Sequence, residues 1–154
     1  MKTYSKLLLA FLFLILIVPP VIADKPPENG PHVEYYENGK KRSEAHYKNG
    51  KADGRFTRWH ENGQKLRESH YKNGKLDGLA TSWHKNGQKQ YEGHYKNDKP
   101  AGLWTDWHEN GQKREERHFK DGKQEGLWTK WYPSGRKWHE AQYKDGNEIS
   151  RKEF

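Results

Sequence analysis

The chain has 154 residues, with 29 Lys or Arg, 21 Asp or Glu and no cysteine, and the net charge from residue 24 onward is +6. That part of the chain contains only seven Val, Ile and Leu against 18 aromatic residues. This composition excludes an ordinary aliphatic core and by itself favours disorder. The missing thiols exclude disulfides, thiolate zinc sites and cysteine nucleophiles.

The first element in chain order is a leader at residues 1–23 with the layout of a secretory signal peptide. Lys2 and Lys6 precede the 12 apolar residues Leu7–Val18, and two prolines and a small-residue site that ends at Ala23 follow. A membrane-spanning helix needs about 20 apolar residues. We therefore expect cleavage between Ala23 and Asp24, no membrane span after cleavage, and a secreted, periplasmic or cell-envelope protein. The alternative is an uncleaved membrane anchor.

The rest of the chain is a periodic array. A Pro-rich lead-in at 24–28 precedes five 24-residue units, and a charged tail at 149–154 follows them. The units are 29–52, 53–76, 77–100, 101–124 and 125–148. With Asn29 as repeat position 1, every unit has Gly at positions 2 and 11, Glu at position 16 and an aromatic residue at positions 7 and 19. Such periodicity identifies a repeat architecture.

Each unit is predicted to be a β-hairpin. Asn-Gly at positions 10 and 11, as in Asn62-Gly63, favours a type I′ turn, in which both central residues have positive φ. A second turn, such as residues 73–78, joins one unit to the next. Between turns the chain is rich in Thr, Trp, Tyr and Phe, and no segment has helical spacing. The prediction is an all-β, elongated, single-layer antiparallel meander of about ten strands, extending about 48 Å.

A two-residue Asn-Gly loop would pair position 8 with 13, 7 with 14, 5 with 16, 4 with 17 and 2 with 19. One face would then carry large aromatic residues at positions 4 and 19 beside small residues at positions 2 and 17, as interdigitated packing requires. The other face would carry Trp at position 7, Thr at 5, Glu at 16 and His at 18. An added bulge would swap the two sets.

The run Gly102–Lys113, followed by Glu116 and His118–Lys123, resembles the bacterial variant of the MORN repeat. The resemblance covers residues 29–148 and implies stacked β-hairpins that serve as binding and scaffolding modules. It gives the repeated glycines, the Asn-Gly turns and the Trp and Tyr rows structural roles. Some bacterial relatives of the variant carry an antitoxin-type label, which implies an alternative, neutralisation of a cognate toxin. The chain departs from the pattern at His32, Ala80, Asp98 and Pro133, and the first and last units are expected to act as caps.

Catalytic and metal chemistry find no support in the sequence. Seven of the nine histidines fall at positions 8 and 18. Successive copies lie about 9.6 Å apart, two strands away, whereas zinc ligands lie about 2.0–2.2 Å from the metal. The same spacing argues against a catalytic pair within the Glu row. The glycines lie in β-turns rather than in a phosphate-binding loop. We therefore expect a protein that is not an enzyme and has no catalytic, metal or cofactor site.

The expected activity is binding, with a protein partner first and an anionic lipid or polysaccharide as the alternative. Acidic residues alternate with the lysines beside the turns, which argues against nucleic acid. Trp rings flanked by hydrogen-bonding groups anchor many interfaces, so the position 7 face is the predicted contact surface, unless these rings only cover the sheet. The candidate partner-binding residues are Trp59, Trp83, Trp107, Trp131, Glu68, Glu92, Glu116, His70, His94 and His118.

Overall fold

A computed structural model describes residues 25–154, so the predicted leader and its cleavage site lie outside the described residues. The described residues form strands and turns only. The strands are β1 Gly30–Tyr35, β2 Lys41–Lys48, β3 Lys51–Ala52, β4 Gly54–Trp59, β5 Lys65–Lys72, β6 Lys75–Trp83, β7 Lys89–Lys96, β8 Lys99–Trp107, β9 Lys113–Lys120, β10 Lys123–Gln124, β11 Gly126–Trp131, β12 Lys137–Lys144 and β13 Asn147–Glu153.

All strands belong to one antiparallel sheet in which chain neighbours are sheet neighbours. The path runs β1-β2-β4-β5-β6-β7-β8-β9-β11-β12-β13, while the short β3 and β10 pair with β2 and β9. Eleven strands on this path extend about 48 Å. The predicted all-β meander of hairpin repeats is confirmed.

The register inside a unit follows the prediction away from the turn and departs from it near the turn. In the second unit Gly54 lies opposite Tyr71, Phe56 opposite Ser69 and Thr57 opposite Glu68, as predicted. Trp59, however, lies opposite Lys65, so position 7 pairs with 13 and not with 14. The predicted pairing of position 8 with 13 is also wrong, because His60 donates its backbone N–H to Gln64, at position 12.

The cause is the turn type. Gly63 has a φ of +92° whereas Asn62 is not in the left-handed region, so the predicted type I′ turn at Asn-Gly is wrong. The Gly63 N–H donates to the His60 carbonyl at 2.8 Å. This geometry is a type I turn followed by a left-handed glycine, the usual three-residue hairpin loop. A bulge between positions 13 and 15 then restores the predicted register.

The type I′ turn lies instead in the link between units. Asn73 and Gly74 have φ values of +51° and +82°, and Lys72 pairs with Lys75 across them. These link turns stack on one another: the Gly74 N–H donates to the carbonyl of Ala52, in the preceding link, at 2.7 Å. The Asn73 N–H donates to the Asp53 carboxylate at 2.9 Å. These bonds hold successive units together at the link-turn end of their strands, in addition to the pairing along the strands.

The glycine at position 2 allows a bulge where one unit passes into the next. In β6 three residues, 77–79, lie opposite the single residue His70 of β5. The middle one, Gly78, has a φ of +127°, and a Cβ there would stand 3.0 Å from the Cβ of His70. The bulge keeps each unit on the same two faces as the unit before it.

The two faces of the sheet differ as predicted. On the aromatic face (positions 2, 4, 6, 15, 17 and 19), large rings cover buried small residues such as Ser69, Ala80 and Gly93. Trp104 lies across Gly93, where an added Cβ would stand 2.3 Å from the indole. The rings pack edge-on or stacked at centroid distances of 4.9–5.9 Å around Trp104. An aromatic ring laid over a cross-strand glycine shields the backbone there.

Residues 149–154, expected as a charged tail, continue the sheet. Most of them lie in β13, which pairs with β12, and the Phe154 N–H donates to the Trp138 carbonyl at 3.1 Å. Arg151 lies opposite Ala141. The link between these two residues is one residue shorter than the link between the paired residues Ser69 and Ala80. The shorter link has no bulge glycine, and Phe154 lies at the place where a sixth unit would put its Trp.

Candidate docking face

The predicted contact residues lie together on one face, which we call the indole face. It carries the side chains of repeat positions 3, 5, 7, 13, 16 and 18, and its main rows are Trp59, Trp83, Trp107 and Trp131; Glu68, Glu92 and Glu116; and His70, His94 and His118. The Thr row at position 5 is buried, the Trp and Glu rows are half-buried, and the His row is exposed.

The tryptophans are linked to the preceding unit by lysine. Lys65 Nζ lies 5.5 Å from the ring centroid of Trp83, and Lys89 Nζ lies 5.6 Å from that of Trp107. Each lysine also forms an ion pair inside its own unit, as Lys89 does with Glu92 at 2.6 Å. Lys41 and Lys113 repeat the arrangement. A Glu–Lys–Trp ladder therefore crosses every boundary between units.

The hairpin bulge makes this ladder possible. Residues three apart on a regular strand point to opposite faces, yet Lys65 and Glu68 meet at 2.7 Å. Because position 14 is bulged out, the lysine at position 13 joins the same face as the Trp and Glu rows. The predicted pairing of position 8 with 13 puts this lysine on the aromatic face, so the sequence analysis did not predict the ladder.

The ladder neutralises the carboxylates of this face. At its start, the hydrogen bond from the Lys41 ammonium lowers the pKa of the Glu44 carboxyl, and the same bond raises the pKa of Lys41. In the third unit the Thr81 hydroxyl also donates to Glu92, at 3.3 Å. The Glu row is thus held by lysine and threonine and does not form a set of free acids.

A row of exposed leucines completes the indole face, and sequence reasoning missed it. Leu79, Leu103 and Leu127 share repeat position 3 and are 37%, 44% and 46% exposed. His94 and His118 lie directly across from the first two. The available signal was that three of the seven aliphatic residues after position 23 fall at one repeat position. In a chain so poor in aliphatic residues, three of them in a row at the surface form the most accessible apolar stripe of this face.

The histidines at position 8 have a different role from the exposed row at position 18. Nε2 of His84 and Nε2 of His108 donate to the carbonyls of Trp107 and Trp131 in the next unit, at 3.1 and 2.9 Å. They therefore connect units. Within the described part of the chain, no three His, Asp or Glu side chains are grouped so as to hold a metal ion.

The opposite, aromatic face is occupied by its own contacts. Tyr91 stacks on Trp104 at 5.9 Å, and its burial raises the pKa of its hydroxyl. The buried Asp106 pairs with Arg114 and Arg117, at 3.2 and 2.5 Å. Rings over small residues and a buried carboxylate paired with arginines are features of internal packing. This face fits the role of core predicted for it.

The sequence profile of the family described as MORN repeat variant matches five segments, residues 28–49, 52–73, 76–97, 101–121 and 124–145. The chain belongs to this family. Each MORN segment begins within one residue of a unit found from the 24-residue period. Comparison with curated proteins finds no match to this chain.

MORN repeats are generally modules that bind proteins or lipids, and the family is not typically enzymatic. Residues 25–154 include no helix of the length and apolarity that a membrane crossing requires. The indole face of this MORN protein offers side chains for contact, and its lysines and glutamates are paired with each other rather than arranged around a shared centre.

Proposed function

We propose that this MORN protein is exported and binds a protein partner with its indole face, without catalysis. The observation that carries the proposal is the apolar stripe Leu79, Leu103 and Leu127 beside the Trp ladder. Apolar anchors with a polar rim are the usual anatomy of a protein–protein contact. The exposed histidines and the paired Glu and Lys residues supply such a rim.

The leucines, rather than the tryptophans, are the first residues a partner meets. The Trp rings are half-buried and carry a lysine over one side, whereas Leu103 is 44% exposed. Fully desolvated anchors contribute most to interfaces, about 2 kcal/mol or more each when truncated. The Trp row lies across the Glu row from the leucines, toward the hairpin turns, and adds ring edges to the contact.

A protein fits this face better than an anionic membrane does. The Glu row runs through the middle of the face, and its lysines are already paired with it. Anionic lipid binding relies on unpaired basic residues, and this face presents alternating, mutually neutralised charges. Hydrogen-bonding groups spaced among apolar anchors suit a folded protein surface instead.

The exported location rests on the leader at 1–23, whose charged start, apolar run and small-residue end match a signal peptide. A partner would then be met in the envelope or outside the cell. The antitoxin-type alternative is one case of the same proposal, in which the bound protein is a cognate toxin.

Photo-cross-linking in the exporting cell tests the proposal. A photoreactive amino acid at position 103, on the indole face, is expected to yield adducts of defined mass with one protein species. The matched control is the same amino acid at the exposed position 58 of the aromatic face, where no such adduct is expected. A toxin as the adduct would identify the antitoxin-type case. Equal adducts from both positions, or none from position 103, would contradict the proposal.

A further inference from the structure

Lysines flank the stacked link turns along one long edge of the sheet. In four of the five turns the two flanking lysines lie directly across from each other: Lys48 and Lys51, Lys72 and Lys75, Lys96 and Lys99, and Lys120 and Lys123. We call these eight residues the lysine edge, and all of them are exposed. Like charges directly opposite each other destabilise a strand pair. The sequence repeats this unfavourable pair four times.

The fold fixes the lysine edge as a regular row. Backbone hydrogen bonds between successive turns hold it, as between Gly122 N–H and Pro100 at 3.1 Å. Turns two strands apart repeat every 9.6 Å or so, and four pairs therefore span about 29 Å. The stems of Lys51 and Lys99 lie against Gly74 and Gly122 of the next turn, where an added Cβ would stand 3.5 and 3.4 Å from them. The glycines leave room for the lysine stems to point along the row.

Carboxylates near the row are mostly engaged elsewhere. Asp53 and Asp77 accept the backbone N–H groups of Asn73 and Asn97, at 2.9 and 3.3 Å. Of the eight lysines only Lys96 forms an ion pair within the described residues, with Asp77 at 3.3 Å. The later turns contain Asp98 and Asp121, so the row is most basic at its first two turns.

Protection against aggregation does not account for these lysines. Lysine guards a sheet when it lies on an edge strand with unpaired backbone groups. The edge strands here are β1 and β13, whereas the lysine edge runs along turns at the ends of paired strands. One lysine for each turn would also serve solubility without the cross-strand repulsion.

We propose that the lysine edge binds a flexible linear polyanion laid across the stacked link turns. The anionic groups would lie between paired ammonium groups and relieve the repulsion that each pair carries in the free protein. A polymer fits because the row is one turn wide and several turns long. The row lies at the link-turn margin of the sheet, next to the His row and on the same side as the indole face, because Glu44, His46 and Lys48 alternate along β2. The proposal does not depend on the function proposed for the indole face.

The test titrates the purified protein with fluorescently labelled inorganic polyphosphate and follows anisotropy at several salt concentrations. The variant Lys51→Gln/Lys75→Gln should bind at least tenfold more weakly. Its slope of log K against log salt should fall by roughly one for each lysine–phosphate pair that the substitutions remove. The matched control Lys40→Gln/Lys85→Gln removes the same charge from the opposite edge, where both lysines are exposed, and should bind within twofold of wild type.

A second readout separates binding from folding. Because one member of each repelling pair is removed, Lys51→Gln/Lys75→Gln should melt at the same temperature as wild type or above it. Equal weakening in both double variants would overturn the proposal, because binding would then depend on the net charge of the protein and not on the lysine edge. Tighter binding to vesicles that contain anionic lipid than to polyphosphate would overturn it in favour of a membrane. Cross-linking from position 103 should be the same in both double variants, whatever the result with polyphosphate.

Discussion

Replacement of Gly93 by Ala tests the packing of the aromatic face. The added Cβ would stand 2.3 Å from the Trp104 indole, and ordinary contact begins near 3.4 Å, so the ring must move by at least 1.1 Å. That shift disturbs the contacts of Trp104 with Tyr91, Tyr95 and Phe119. Overpacking costs about 1–3 kcal/mol and each aromatic pair contributes about 0.5–1.5 kcal/mol. We expect a loss of about 2–4 kcal/mol in the free energy of unfolding.

Urea denaturation followed by far-UV circular dichroism measures this cost. A double-mutant cycle with Trp104→Ala isolates the clash, because without the indole the methyl group added at position 93 has room. Position 17 already carries alanine in Ala45 and Ala141, which shows that an Ala side chain suits the backbone there. If Gly93→Ala costs the same free energy with and without the indole, the reasoning from the Trp104 contact is refuted.

Three further predictions concern the backbone, acid stability and processing. Gly78→Ala should cost more than Gly102→Ala in urea denaturation, because a φ of +127° is more strained for alanine than +69° and because only at Gly78 would the new Cβ crowd a neighbour, His70 at 3.0 Å. Equal costs would contradict both reasons. The hydrogen bond from the Ser43 hydroxyl, together with Arg42 and against the effect of burial, lowers the pKa of Glu34. The ionised Glu34 therefore stabilises the fold at neutral pH, and this stabilisation is lost as the pH falls through the lowered pKa. On acidification the unfolding free energy should drop less in Glu34→Gln than in wild type, and an identical drop would contradict this. Mass spectrometry of the exported protein should find Asp24 at the N-terminus, whereas Met1 in a membrane fraction would establish the anchor.

The sequence was sufficient to predict the repeat and the division of the two faces. Gly, Glu and an aromatic residue recur every 24 residues, and such a period is typical of similar stacked units. Alternation then placed Thr57 and Glu68 on one face and Phe56 and Ser69 on the other. The pairing of these four residues did not depend on the turn type, because the bulge at position 14 lies between them and the turn and restores the predicted register.

The turn types and the ladder could not be derived from local sequence. Asn62-Gly63 and Asn73-Gly74 are the same dipeptide, yet only the second forms a type I′ turn. The choice depends on how each turn stacks against the next unit: Asn86, the equivalent of Asn62, donates its side-chain amide to the Glu109 carbonyl at 2.7 Å. Such contacts between units arise only in the assembled sheet. They also decide which face receives the position 13 lysines, and therefore the form of the candidate site.

The leucine row was missed for a different reason. Alternation puts Leu103 on the face of Thr105 and Glu116, but only its 44% exposure shows that it is accessible there. Exposure depends on the absence of a second layer over the sheet in the described residues, which a one-dimensional pattern does not show.

The most direct test of the docking account is the affinity of the cross-linked partner for two matched variants. Leu103→Ser removes an exposed leucine from the indole face, and Ile149→Ser removes an isoleucine that is 61% exposed on the edge strand β13. Both should melt like wild type, because neither side chain is buried. The account predicts that Leu103→Ser weakens the partner at least tenfold while Ile149→Ser leaves its affinity within twofold. Unchanged affinity for Leu103→Ser, or an equal loss in both variants, would contradict the assignment of the indole face as the docking surface.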